Sequence, residues 1–205
     1  MTDPTRMADH WWWRPGWSAG CRFLTWHLTF DGQSEVHRLA ADYRRTLADV
    51  PGLDLVPDQW LHLTMQGLGF AQDVPDADVA SIVDAARSRL AKIPAFDVSI
   101  DRPTVTPEAI RWEAAPGEPV AAVRLAIRAA IVDVWADVPE REDGFRPHIS
   151  IAYSNSDGPA APALQALAAA PPPSASARVS SAELILLGRD RRMYEWEPVA
   201  TVPLG

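Results

Sequence analysis

Two short segments of the chain share one pattern. Leu61-His62-Leu63-Thr64-Met65 and Pro147-His148-Ile149-Ser150-Ile151 each place an imidazole and a hydroxyl two residues apart, between apolar neighbours. In an extended strand, successive side chains alternate between faces. His62 and Thr64 therefore point one way, while Leu61, Leu63 and Met65 pack behind. His148 and Ser150 stand over Ile149 and Ile151 in the same manner. Imidazole titrates near neutrality, so one ring can take a proton while a second gives one. A hydroxyl beside each ring can donate to an oxygen on which negative charge builds up. Hydrolysis of a phosphodiester asks for such a set: a base for the attacking water, an acid for the leaving oxygen, and donors for the non-bridging oxygens. A His-x-hydroxyl pair lacks the ligand set of a zinc or magnesium site, so neither a metal nor another cofactor is expected. The single cysteine, Cys21, removes intrachain disulfides and Cys-based zinc sites, and it reads as an inert thiol.

The elements that must hold these residues follow from periodicity. Strands are predicted over residues 22–30, 60–68, 96–102, 109–114, 147–153, 179–188 and 194–202, with a short one at 53–56. Helices are predicted over 34–49, 75–93 and 120–137, with a weaker Ala-rich one over 159–170. The first carries the stripe Val36, Leu39, Ala40, Tyr43, Leu47, and the second Ile82, Val83, Ala86, Leu90. Pro171-Pro172-Pro173 reads as a stiff spacer. Helix–strand–strand blocks without strict alternation point to an α+β fold with largely antiparallel sheets. No Gly-rich phosphate loop is present. The expected division is a Trp-rich arm over residues 1–20 and one domain over 21–205.

The flanks extend both motifs. Trp60 to Gly69 reads WLHLTMQGLG and Phe145 to Tyr153 reads FRPHISIAY, and the two histidines stand 86 residues apart. Motifs, flanks and spacing together resemble the 2H phosphoesterase superfamily, in particular its 2′-5′ RNA ligase-like and 2′,3′-cyclic phosphodiesterase members, over about residues 22–203. The resemblance implies a bilobal α+β fold whose pseudo-twofold lobes each bring one motif to a central cleft. It implies that His62 and His148 act as general acid and base on a cyclic or 2′-5′ phosphodiester, and that Thr64 and Ser150 bind phosphate. Neither the residues nor the resemblance say which histidine is the base. The expected activity is metal-independent hydrolysis of such a diester. The alternative is an RNA-end-binding or ligase-like protein with no hydrolytic role.

Other residues carry competing readings. His27-Leu28-Thr29 fits the bare pattern but lacks the trailing glycines and the preceding proline. It is read as part of a sheet, with the cleft as the alternative. Arg146 either grips phosphate or pairs with Glu140, Glu142 or Asp143. Tyr153, three residues beyond Ser150, falls on the opposite face unless the strand bends. His37 reads as solvated and His10 as a terminal residue. Of nine tryptophans, four lie within residues 11–17. They form a structural strap or a stacking platform for a nucleobase. Three consecutive tryptophans cannot all face one ligand, which favours the strap, with Arg14 within reach of the cleft.

The charge balance is 19 basic against 27 acidic residues, a net of −8. Such a chain has no basic face for long duplex nucleic acid. The expected partner is a small nucleotide or an RNA-end phosphodiester held in a local pocket. No apolar run is long enough to span a membrane. The first ten residues lack a signal-peptide layout, so the cytoplasm is the expected compartment.

Overall fold

The computed structural model describes residues 4–170 and 174–205, and the predicted proline spacer lies outside them. Its strands are β1 (Arg6–Met7), β2 (Phe23–Thr29), β3 (Leu53–Leu55), β4 (His62–Phe70), β5 (Phe96–Ile100), β6 (Thr104–Val105), β7 (Ala109–Ala115), β8 (His148–Ser154), β9 (Gly158–Pro159), β10 (Ala175–Val179), β11 (Ser181–Gly188) and β12 (Glu195–Pro203). Its helices are α1 (Ser34–Leu47), α2 (Asp76–Leu90), α3 (Gly117–Val132) and α4 (Ala161–Ala169).

Two antiparallel sheets carry the motifs, as the resemblance implies. One runs β12-β11-β2-β4, with the first motif strand at its edge. The other runs β10-β5-β7-β8-β3, with β6 also on β7, and holds the second motif strand inside. Helices α2 and α3 pack together and reach β12 and β4, while α1 and α4 pack together and α1 reaches β10, β3 and β8. Each sheet thus has its own helix pair, and β4 meets β8 where the sheets approach. The predicted stripes are the buried faces of α1 and α2. Leu61, Leu63, Met65, Ile149 and Ile151 are all buried behind the motif side chains.

Several boundaries move for local reasons. Pro57 leads into a 3₁₀ turn over Asp58–Trp60, so the motif strand starts at His62. Helix α3 ends at Val132, short of the predicted 137, and Trp135 beyond it donates its indole N–H to Asp78 of α2 at 2.8 Å. The predicted strand over 179–188 is two strands. Residues Ala175–Val179 join β5, and after Ser180 the chain crosses to lie between β2 and β12.

The described part of the N-terminal arm is fastened at several points. Met7 pairs with Gly158, Ala8 N–H donates to Pro107 O at 2.7 Å, and His10 N–H to Ser154 O at 2.8 Å. Trp11 is buried and donates its indole N–H to Asp54 at 2.9 Å, whereas Trp12 and Trp13 stay about half exposed. Among the described residues, no helix is long and apolar enough to cross a membrane.

The motif strands are not regular. Opposite β2, Met65 and Leu68 are extra residues in β4, since Trp26 pairs with Gln66 but His27 with Thr64, and Leu24 with Gly69 but Thr25 with Gly67. Opposite β7, Ile151 is extra in β8, since Ile110 pairs with Ala152 but Arg111 with Ser150. Each bulge adds one residue and shifts the phase of alternation beyond it. The bulge carbonyls nearest the motifs still find donors. Arg124 Nε donates to Met65 O and Val56 N–H to Ile151 O, both at 2.9 Å.

Candidate active site

His62 and Thr64 from β4, and His148 and Ser150 from β8, line one cleft of about 760 Å³. The two histidines are anchored alike. His62 Nδ1 lies 2.8 Å from Trp60 O, and His148 Nδ1 lies 2.8 Å from Arg146 O, each the carbonyl two residues upstream. A carbonyl oxygen only accepts, so in the neutral ring Nδ1 carries the proton and Nε2 is left to exchange one.

Burial sets their charge. It holds His62 down to about 4, with the nearby His148 adding to the effect and the Trp60 hydrogen bond opposing it. Burial also lowers His148. The Arg111 guanidinium adds to this, and the bond to Arg146 O and the Glu113 carboxylate oppose it. Both rings are therefore neutral at pH 7 in the free protein.

The phase shifts decide what else faces the cleft. Beyond Thr64, strict alternation would aim Gln66 inward. Instead Gln66 is fully buried, accepting from Arg128 and donating to Pro139 O, and it is not part of the cleft lining. Gly67 has no room for a side chain: a Cβ there would meet Glu140 Oε1 at 2.6 Å and the Phe23 ring at 2.8 Å. Beyond Ser150, the Ile151 bulge is the bend that brings Tyr153 onto the cleft side.

Arg111 escaped the sequence reading. It sits opposite Ser150 and lines the cleft. Among the described residues it forms no ion pair, and its Nε is buried without a hydrogen-bond partner. The alternation Ile110-Arg111-Trp112 put it on an outward face, but only the strand pairing places it beside the second motif. Arg146 is exposed and its side chain lies outside the cleft lining. Its carbonyl anchors His148, and no ion pair joins it to Glu140, Glu142 or Asp143 among the described residues.

Two further histidines line the same cleft. His27 is fully buried, with its ring parallel to that of His62 at 4.3 Å. His10 is no loose terminal residue. Its Nδ1 lies 3.1 Å from Glu108, its Nε2 lies 3.0 Å from the Tyr194 hydroxyl, and its ring stacks on Tyr153 at 4.4 Å. Burial, with the charge of Arg14 adding to it, holds His10 to about 4. No sequence signal marked it, because the arm has no periodicity.

The arm forms one end wall. Glu108 accepts from the Trp12 indole at 3.2 Å and from Arg14 at 2.6 Å. Arg189, 3% exposed, donates to His10 O and Trp12 O and lies against the rings of Trp11, Trp13 and Trp17. The arm is thus bound down as a strap, and it also supplies His10, Arg14 and Trp17 to the cleft lining. Among the described residues, no cluster of three His, Cys, Asp or Glu side chains could hold a metal ion.

Residues 27–191 match the family model of the 2′-5′ RNA ligase superfamily. No curated protein is a significant match to the chain. Solved structures share the fold at low identity. TT0787 of Thermus thermophilus aligns with a TM-score of 0.70 at 16% identity, over 89% of this chain and 97% of that one. A structure described as a phosphoesterase aligns at 0.67 and 18% identity, over 89% and 98%. E. coli LigT in its apo form aligns at 0.65 and 17% identity, over 90% and 98%. LigT has also been solved with 3′-AMP, phosphate, ATP and NADP+.

Proposed function

The chain belongs to the 2′-5′ RNA ligase superfamily, and on that premise we propose that it hydrolyses a 2′,3′-cyclic phosphate or a related 2′-5′ nucleotide phosphodiester without a metal ion. One observation carries the reading. Two imidazoles, each held by the carbonyl two residues upstream, line a single cleft from neighbouring sheets. The diester lies between the rings. One Nε2 takes a proton from the attacking water, while the other, protonated in the complex, gives its proton to the departing ribose oxygen. Both rings are neutral in the free protein, and the negative charge of the diester favours uptake of the one proton this needs. The roles fall to His62 or His148 according to which way round the diester lies.

Thr64 and Ser150 donate to the non-bridging oxygens, whose charge grows as water adds. Arg111, opposite Ser150, supplies the cation, since Arg14 is paired with Glu108 and the buried Arg189 is turned to the carbonyls of His10 and Trp12. A nucleotide is the favoured class because the cleft is walled by aromatic rings as well as donors, and because LigT of the same fold holds 3′-AMP. The net charge of −8 suits a small diester or an RNA end in the cytoplasm rather than a duplex.

The test is a panel of 2′,3′-cyclic mononucleotides and 2′-5′ dinucleotides, assayed with the wild type, His62→Ala and His148→Ala. Each substitution removes a proton-transfer group and should lower kcat/KM by about 10²–10⁴-fold with the fold retained. Turnover retained in both variants overturns the reading. Tight binding without turnover would favour an RNA-end-binding role.

A further inference from the structure

We propose that His27 is a positioning residue of this cleft, a third imidazole that aims the Thr64 hydroxyl at the ligand and braces the ring of His62. The bulge at Met65 sets His27 opposite Thr64 in the β2–β4 ladder. His27 is fully buried in the cleft floor, so it serves neither as solvated polar surface nor as a ligand group in the open. Its ring is parallel to that of His62, with 5° between the planes and 4.3 Å between centroids. Trp196 stands edge-on to both, at 5.5 Å from His27 and 5.2 Å from His62. With Nδ1 anchored to Trp60 O and one face covered by His27, the His62 ring has little freedom to turn its Nε2 away.

The tautomer follows from what His27 touches. Its Nδ1 is buried and has no hydrogen-bond partner, and its Nε2 lies 3.4 Å from Thr64 Oγ1. A buried N–H with no acceptor is the costlier orphan, so the proton belongs on Nε2 and the bare lone pair on Nδ1. Nε2–H then donates to Thr64 Oγ1. The hydroxyl, its acceptor side occupied, keeps its own hydrogen for an oxygen in the cleft. The opposite tautomer would take that hydrogen and turn a lone pair of Thr64 toward an incoming anion. Burial also lowers the proton affinity of His27, and a proton on His62 would lower it further, so the ring stays neutral and does not compete for the proton that the proposed reaction moves. Thr29, the hydroxyl that completes the third His-x-Thr pattern, is not part of the cleft lining.

The inference deepens the phosphodiesterase reading, and its test separates the two. On the wild-type protein, ¹⁵N–¹H correlation spectra of the imidazoles between pH 6 and 8 should show His27 as the Nε2–H tautomer and His62 and His148 as Nδ1–H. A proton on Nδ1 of His27 overturns the proposal, whatever the enzyme hydrolyses. The second arm is a double-mutant cycle. His27→Phe keeps a stacked ring and removes the donor, His27→Gln restores an N–H at similar reach, and Thr64→Val removes the hydroxyl. His27→Phe should lower kcat by about tenfold, with a smaller rise in KM, since the hydroxyl matters most as charge develops. His27→Gln should recover most of that loss, and His27→Phe should cost nothing further beside Thr64→Val. An equal loss in both backgrounds would overturn the proposal, because His27 would then act by packing alone. If the wild type turns over no diester, the phosphodiesterase reading falls. The wild type, His27→Phe, Thr64→Val and their double variant are then compared by affinity for inorganic phosphate, where a two- to tenfold weakening by His27→Phe, confined to the Thr64 background, is expected.

Discussion

Lowering the pH from 6 to 5 should destabilise the wild-type protein by about 1.2 kcal/mol more than it destabilises His62→Gln. In the unfolded chain an imidazole titrates near 6.5, whereas in the fold burial holds His62 to about 4. Between those values the unfolded chain binds a proton that the folded one refuses, so stability falls as the pH falls. The contribution is fully present above 6.5 and is lost on the way down through about 4. The whole separation corresponds to about 3.4 kcal/mol at 1.36 kcal/mol per pH unit, of which about 1.2 kcal/mol lies between pH 6 and 5. His10, His27 and His148, also lowered by burial, remain in both proteins and largely cancel in the difference. Urea denaturation at pH 7.5, 6 and 5 measures it, with proton NMR titration of the His62 ring as a direct check. Parallel stability curves, differing by less than about 0.3 kcal/mol over that step, would refute the reasoning. They would mean that the ring is solvated or already charged. The point bears on the proposed function because the burial that costs this stability in acid would also keep an unprotonated base available near neutrality.

Other consequences are equally open to measurement. The kcat/KM profile should be bell-shaped with its optimum below pH 6.5, because both imidazoles of the free protein titrate below their ordinary value while one must be protonated; a plateau extending above pH 8 would contradict this. Arg111→Met should weaken inorganic phosphate binding by about tenfold or more in calorimetry, as a charge-assisted hydrogen bond is lost. Arg146→Ala, with its exposed head, should change that affinity by less than about twofold, and the reverse order would move the cleft cation to Arg146. Glu108→Ala removes the acceptor shared by His10, Trp12 and Arg14, so the melting temperature should fall by about 4–8 °C, from about 2 kcal/mol; no change would mean that the arm is held elsewhere. Gly67→Ala should cost about 1–3 kcal/mol, since its Cβ lands on Glu140 and Phe23, and an unchanged urea midpoint would show that the Phe23 ring yields freely.

What was legible in the sequence was what depends on one strand at a time. His62 and Thr64, and His148 and Ser150, could be placed over their buried neighbours because period two holds for the four or five residues of each motif. What was not legible depends on pairing. Tyr153 and Gln66 take the faces that simple alternation denies them, because Ile151 and Met65 are extra residues against β7 and β2. Neither residue type announces a bulge. Arg111 and His27 enter the site only as the partners of Ser150 and Thr64, a register that no local pattern records. The arm was opaque for a different reason. Its order comes from distant acceptors, Asp54, Glu108 and Ser154, and not from any period of its own.

The bulges also explain how two near-identical motifs make an asymmetric cleft. In each motif strand the extra residue follows the hydroxyl directly, Met65 after Thr64 and Ile151 after Ser150, so each hydroxyl is the last motif residue in regular phase. Each is then faced by one residue of the neighbouring strand: a buried imidazole for Thr64, and for Ser150 a guanidinium with no ion pair among the described residues. The frame repeats while its complement does not. On the proposed reading, negative charge would be met by a cation on the β8 side and by an oriented neutral donor on the β4 side. A diester bound across the two strands would then have no equivalent reversed pose. The residues opposite the motifs, rather than the motifs themselves, would set which ribose oxygen lies under which histidine, and so which ring would give its proton.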